Sequence, residues 1–234
     1  PAAKKAYNIS NVSRARDLPY PYPDDLIIVA PRMNHYMAIN KQINTIYRSF
    51  VSDEDIAVYS VDETFLDVTD SLRYFKVKTA YDLARMIQRK VHEETGIYVT
   101  VGIGDNPLLA LDNESKQNKD MKAEWRYEDV ETKLWSLPKL TDMWGIGKNT
   151  ARRLNALGIQ TVKDLAHYNY YKLKSKMGIM GAQLFAHSWG IDRTFLGEHY
   201  TPKSKSIGNS QVLPKDYTNQ QEIEIIIREM ADQV

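Results

Sequence analysis

From residue 33 to residue 50, Tyr36, Ile39, Ile43, Ile46, Tyr47 and Phe50 recur at helical spacing. This predicts an amphipathic helix with its apolar stripe turned to a core. Just before it, Leu26, Ile27, Ile28, Val29 and Ala30 form a short continuous apolar run closed by Pro31, which predicts a buried strand. Just after it, Ile56, Ala57, Val58, Tyr59 and Val61 make a strand-like run. Asp62 and Glu63 interrupt that run, and Phe65, Leu66 and Val68 resume it. Two strands joined by a very tight turn fit this pattern. Thr79 is placed to cap the next helix, Ala80, Leu83, Ala84, Ile87 and Val91 form its buried stripe, and Gly96 stops it. Ile97, Val99, Val101 and Ile103 then alternate with Tyr98, Thr100 and Gly102, as in a half-buried strand. Strand, helix, hairpin, helix and strand in this order predict an α+β fold with a mixed sheet backed by helices.

Beyond residue 137 the pattern is helical. Leu154, Leu157, Ile159, Val162 and Leu165 are expected to pack a hairpin and the helix that follows. Met177-Gly178-Ile179-Met180-Gly181-Ala182 repeats the shape of residues 143–151 less perfectly and reads either as a second such motif or as a tight turn between core helices; the latter is favoured, with Met177, Met180 and Trp189 filling the core. Residues 197–205 are polar, contain Pro202 and read as a linker. A strand over 206–213 and an amphipathic helix carrying Ile223, Ile226, Ile227 and Met230 follow. One strand and one helix do not make a β-rich domain, so the expectation is that the chain is cut here. The opening Pro1-Ala2-Ala3-Lys4-Lys5-Ala6-Tyr7 likewise reads as the middle of a helix rather than a natural start.

Composition narrows the classes. The 234 residues are 43% hydrophobic and 26% charged, enough for a globular protein with more than one core. Net charge is only +1, so basic residues count locally. There are no cysteines, which excludes disulfides and thiolate metal sites. No apolar run reaches the length of a membrane span, and the expectation is a cytoplasmic protein. The five histidines lack the short spacing of a zinc site. No nucleophile elbow, Walker loop or dinucleotide fingerprint is present.

The candidate chemistry centres on Asp62 and Glu63. Neighbouring side chains in a strand point to opposite faces, so two adjacent acids serve one site only where the strand ends and turns. Two like charges about 4 Å apart repel by about 4 kcal/mol at an effective dielectric of 20. A hard divalent cation removes that repulsion, and Mg²⁺ suits carboxylates combined with substrate phosphates. Two readings stand: a metal site for phosphoryl transfer, or a solvated acidic turn. Asp67 shares the strand face of Glu63 but lies about 13 Å along it, so the expectation is a structural role or a loop contact rather than a metal ligand.

Residues 137–154 hold the second constellation, with Trp144-Gly145-Ile146-Gly147-Lys148 at its centre. Gly145 and Gly147 let the backbone turn sharply and approach a nucleic-acid strand. The N–H groups of the next helix can face a phosphate oxygen, and Lys148, Arg152 and Arg153 add charge. Such contacts hold a backbone without reading sequence. An ordinary Gly-containing turn has the same glycines; the cationic flank favours DNA or RNA.

Ser60-Val61-Asp62-Glu63-Thr64-Phe65-Leu66-Asp67 resembles the S-[IV]-D-E-[AT]-[FY]-L-D signature of Y-family (translesion) DNA polymerases. Residues 137–154 resemble the helix-hairpin-helix of that family, in the same order along the chain. Ser206-Ile207-Gly208-Asn209-Ser210-Gln211-Val212-Leu213-Pro214 resembles its UmuC-like branch. The resemblance implies partial fingers over 1–25 and a mixed-sheet palm over 26–136 whose first strand, with another metal-binding Asp, precedes this sequence. It also implies an all-α helix-hairpin-helix thumb over 137–196, a linker over 197–205, and the start of a β-rich little finger over 206–234. It implies lesion-bypass DNA synthesis, with Asp62 and Glu63 holding two Mg²⁺ ions. Lys4, Lys5 and Lys116 would lie near the triphosphate, although a solvated helix face accounts equally for Lys4 and Lys5. Gly145, Gly147, Lys148, Arg152, Lys203 and Lys205 would lie along DNA. Implied partners are primer–template DNA, dNTP, a sliding clamp and a recombinase filament, in the cytoplasm at the nucleoid, within the SOS response.

Gly102-Ile103-Gly104-Asp105-Asn106-Pro107-Leu108-Leu109-Ala110 resembles another segment of that family, but about three residues are missing after Ala110. The lysine that follows there has no counterpart. A deletion of three residues turns the rest of a helix by roughly 300°. The alternative function is a catalytically inactive DNA-binding or scaffold relative in the DNA-damage response. Another two-metal enzyme, a nuclease or a cyclase, is disfavoured by the collinear thumb.

Overall fold

A computed structural model describes residues 2–10, 13, 17–111, 121–198, 204–213 and 215–234. The chain forms two units, Pro1–Gly197 and Glu198–Val234. The first begins with helices α1 (Ala2–Tyr7) and α2 (Met33–Tyr47), then the antiparallel pair β1 (Ile56–Val58) and β2 (Thr64–Leu66). Helices α3 (Ser71–Tyr74) and α4 (Ala80–Thr95) follow, then strand β3 (Val101–Gly104), helix α5 (Pro107–Ala110) and strand β4 (Lys122–Trp125). Strands β3 and β4 pair in parallel, with Val101 opposite Lys122 and Gly104 opposite Trp125. Among the described residues the expected mixed sheet is thus present as two separate pairs, one antiparallel and one parallel. Helices α6 (Lys148–Asn155), α7 (Val162–Ala166) and α8 (Tyr170–Ser188) close the unit.

Local chemistry places α4 where the pattern put it. The Thr79 hydroxyl accepts from the Asp82 N–H, and Gly96 ends the helix at φ +72°, a conformation that costs glycine little. Ile46, Phe50, Leu83, Ile87 and Val91 form one core, with Leu66 of the hairpin and Val99 packed against it. A second core gathers Leu154, Ile159, Val162, Leu165, Leu173 and Leu184 and takes in Leu109 and Trp125 beside the parallel pair. Hydrogen bonds reinforce that junction. The Asn106 amide donates to the Gly190 carbonyl at 2.8 Å, and the Trp135 indole donates to the Ser188 carbonyl at 2.8 Å.

Several expectations change. Residues 26–30 form no strand, and Ile27 is 83% exposed. A continuous apolar run becomes a buried strand only when both faces are covered, and here neither is. The helix from Met33 stops at Tyr47, and Phe50 reaches the core from the turn beyond it. The strand expected over 97–103 is paired only from Val101. Met180 is half exposed rather than core, because the φ of +66° at Gly178 breaks α8 there. Helix α5 ends at Ala110, where the suspected gap falls, and residues 112–120 lie outside the described residues.

In the second unit residues 204–213 are exposed and form no strand. A strand exists through its partner, and the described residues of this unit offer none. Helix α9 (Gln220–Asp232) is capped by the Asn219 side chain, and Ile223, Ile225 and Ile227 lie exposed along it. Among the described residues no helix is long and apolar enough to cross a membrane.

The contrast between covered and uncovered apolar residues is measurable. Leu154→Ala is expected to cost about 2–5 kcal/mol in denaturant unfolding, and Ile27→Ser less than about 0.5 kcal/mol.

Candidate active site and nucleic-acid interface

The acidic turn is built by hairpin register. Val58 stands opposite Thr64, and the Tyr59 and Ser60 N–H groups both donate to the Glu63 carbonyl at 3.0 Å. The chain therefore reverses over residues 59–63, wider than the very tight turn the pattern implied. The reversal frees the two acids from strand alternation. The Ser60 hydroxyl lies 2.9 Å from an Asp62 carboxylate oxygen and 3.2 Å from a Glu63 carboxylate oxygen. Both acids thus converge on one hydroxyl and remain exposed to solvent. That hydroxyl has a single proton to donate, so it orients the pair without neutralising it.

Helix α2 supports the turn from beneath. Buried Asn44 accepts from the Thr64 hydroxyl at 3.1 Å and donates to the Asn40 carbonyl at 3.0 Å. The Asn40 amide donates to the Val61 carbonyl, inside the turn. The sequence reading passed over both asparagines. Their signal was polar residues one helical turn apart, with Asn44 between the stripe positions Ile43 and Ile46. Asp67 folds back on its own loop, accepting from the Thr69 N–H at 3.0 Å and the Thr69 hydroxyl at 2.6 Å. Among the described residues no third acid or histidine joins Asp62 and Glu63 in one cluster. Their oxygen donors are of the hard type that magnesium prefers.

The second constellation folds as a turn followed by a helix. Gly145 adopts φ +83°, Ile146 is buried beneath it, and Gly147 begins α6 without a side-chain cap. The first N–H groups of α6 are therefore left for a partner outside the helix. Lys148 and Arg152 stand exposed on α6. Trp144 packs against Tyr59 of the acidic hairpin, with ring centroids 6.2 Å apart. That contact joins residues 85 positions apart and has no local signature.

Other predicted residues are less informative. Lys4 and Lys5 are exposed on α1, and Lys205 is exposed in the second unit. Lys116 and Lys203 lie outside the described residues. Trp189 is 38% exposed, and its indole donates to the Ala166 carbonyl at 2.9 Å. Burial lowers the pKa of His187 below the ordinary histidine value, and the charge of Asp192 partly opposes this.

Comparison with known proteins matches this arrangement. Residues 1–111 match the model of the impB/mucB/samB family, and residues 127–159 match the helix-hairpin-helix motif of the IMS family. A DNA repair protein homolog, YobH of Bacillus subtilis (strain 168), is 45% identical over 65% of this chain and 71% of its own length. The chain belongs to the Y-family polymerases. UvrX of the same organism, which is named for UV-damage repair, is 40% identical over 100% of this chain and 55% of its own length. A DinB-family error-prone DNA polymerase from Sulfolobus solfataricus has the same fold, with a TM-score of 0.64 and 25% identity over 99% of this chain and 69% of that one. This Y-family chain spans about half the length of most curated relatives that it matches.

Removing the Asn44 amide leaves the Thr64 hydroxyl and the Asn40 carbonyl without their shared partner. Asn44→Ala is expected to lower unfolding free energy by about 1–3 kcal/mol in urea titration.

Proposed function

We propose that the protein containing this chain is a template-directed DNA polymerase of the lesion-bypass type, extending a primer 3′-hydroxyl with dNTP. The observation that carries the proposal is the convergence of Asp62 and Glu63 on the Ser60 hydroxyl, on an exposed turn. Metal-dependent nucleotidyl transfer is the chemistry of the family, and the oxygen donors at this turn suit it. Two Mg²⁺ ions bound there would activate the primer hydroxyl and neutralise charge on the triphosphate and leaving pyrophosphate.

The chain's own residues have separate tasks in this scheme. Asp62 and Glu63 supply two carboxylates, and a further acid of the whole protein completes the set. Ser60 keeps the pair aimed the same way, while Asn40 and Asn44 hold the turn against α2. Gly145, Gly147, Lys148 and Arg152 grip the phosphate backbone and read no sequence. Lys4, Lys5 and Lys116 are assigned to the triphosphate, and Lys203 and Lys205 to DNA. Partial fingers span 1–25, the palm 26–136, the thumb 137–196 and the linker 197–205, and the little finger starts at 206. A UmuC-like branch, a sliding clamp, a recombinase filament and a nucleoid location complete it, all by resemblance.

Primer extension by the full-length protein with Mg²⁺ tests the assignment. Asp62→Ala and Glu63→Ala are each expected to reduce extension by at least about a hundredfold while primer–template affinity stays within about twofold. Undiminished extension refutes the role of the acids, and DNA binding without extension in the unaltered protein favours a silent scaffold. Lys148→Ala is expected to weaken binding evenly across sequences. It should also reduce the slope of log affinity against log salt by about 1.

A further inference from the structure

The acidic turn and the backbone-gripping loop touch through one pair of rings. Trp144 immediately precedes Gly145, and its indole meets the Tyr59 ring edge-on, at 6.2 Å and 66°. Tyr59 in turn lies edge-on to Phe65 of β2, at 5.6 Å and 68°. The Tyr59 N–H is one of the two that close the turn on the Glu63 carbonyl. The residue that Trp144 touches is therefore bonded to the residue that carries one of the acids.

Trp144 is held on its other side as well. Its ring stacks on the His187 imidazole of α8, at 5.9 Å and 18°. His187 is 5% exposed, Trp144 is partly buried, and Tyr59 on the other side is 53% exposed, so the stack anchors the indole from its inner side. The neighbours Met143 and Ile146 are 2% and 3% exposed and fix the loop to the second core. A ring clamped between a buried imidazole and the acidic hairpin has little freedom to move independently of either. Packed contacts of this kind can transmit a small displacement when both ends are otherwise rigid. The contact itself is modest in strength: edge-to-face aromatic pairs contribute enough to change an equilibrium by roughly three- to tenfold.

We propose that Trp144 is a positioning residue: through Tyr59 it makes the conformation of the Asp62–Glu63 turn depend on DNA held at residues 145–148. The inference rests on the reading that this loop grips DNA. It adds that the grip is felt at the acids before nucleotide arrives. Neither Trp144 nor Tyr59 needs to touch metal or substrate.

Hydrogen exchange of the full-length protein, with and without primer–template, tests this apart from catalysis. In the unaltered protein DNA is expected to slow exchange of the Tyr59 and Ser60 amides by roughly three- to tenfold. Trp144→Ala is expected to abolish that protection at saturating DNA, with primer–template affinity within about twofold, and Trp144→Phe to restore most of it. Tyr59→Ala combined with Trp144→Ala should slow nucleotide addition no more than either change alone, as for residues acting in one path. Protection that persists in Trp144→Ala overturns the proposal, and so does a double variant whose losses multiply. Absence of DNA binding by the unaltered protein also overturns it. A protein that fails to extend primers but shows Trp144-dependent protection refutes the polymerase assignment and leaves the coupling standing.

Discussion

Two adjacent carboxylates can face one way only if the strand that carries them has ended. Everything else at this site follows from that geometric constraint. In an unbroken strand Asp62 and Glu63 would point to opposite faces. Here the Tyr59 and Ser60 amides close on the Glu63 carbonyl, and both acids turn toward the Ser60 hydroxyl. The turn keeps two mutually repelling charges close in solvent. That arrangement costs free energy unless something positive is placed there, which is the place the proposed function gives to a divalent cation.

The remainder of the unit holds this turn still. Leu66 packs against the core that joins α2 to α4, and Asn44 ties β2 to α2 from below. On the other side, the helix-hairpin-helix is locked by its own core, which also takes in Leu109 and Trp125 beside the parallel pair. The acidic turn and the glycine loop are thus each backed by a separate apolar cluster, and Tyr59 and Trp144 meet between them. The proposed function needs this combination, because acids that hold metal must be rigid while a loop that grips DNA bears on a mobile substrate.

Local signals carried the sequence reading furthest. The Thr79 cap, the Gly96 stop and the Gly145 turn depend on neighbouring residues alone, and each is found where the chain indicated. The acidic hairpin was legible because alternation and its interruption are also local. Pairing is not. Residues 26–30 have the composition of a covered strand, but coverage is a tertiary fact. Strand β4 escaped notice because buried Lys122 disguises it. That lysine is accommodated by the Gln88 amide oxygen at 3.1 Å and the Tyr81 ring at 4.7 Å, both on α4. Asn40 and Asn44 were illegible for the converse reason, since an asparagine on a helix normally reads as solvated. The family signature supplied what these residues could not, namely that the acidic turn and the glycine loop recur together in one family.

The most direct test of the central claim is diffraction from the full-length protein grown with primer–template, a non-hydrolysable nucleotide and Mn²⁺, read at the manganese edge. The account predicts anomalous density within about 2.0–2.3 Å of carboxylate oxygens from both Asp62 and Glu63. Manganese bound elsewhere, with either carboxylate turned away from it, would contradict the account.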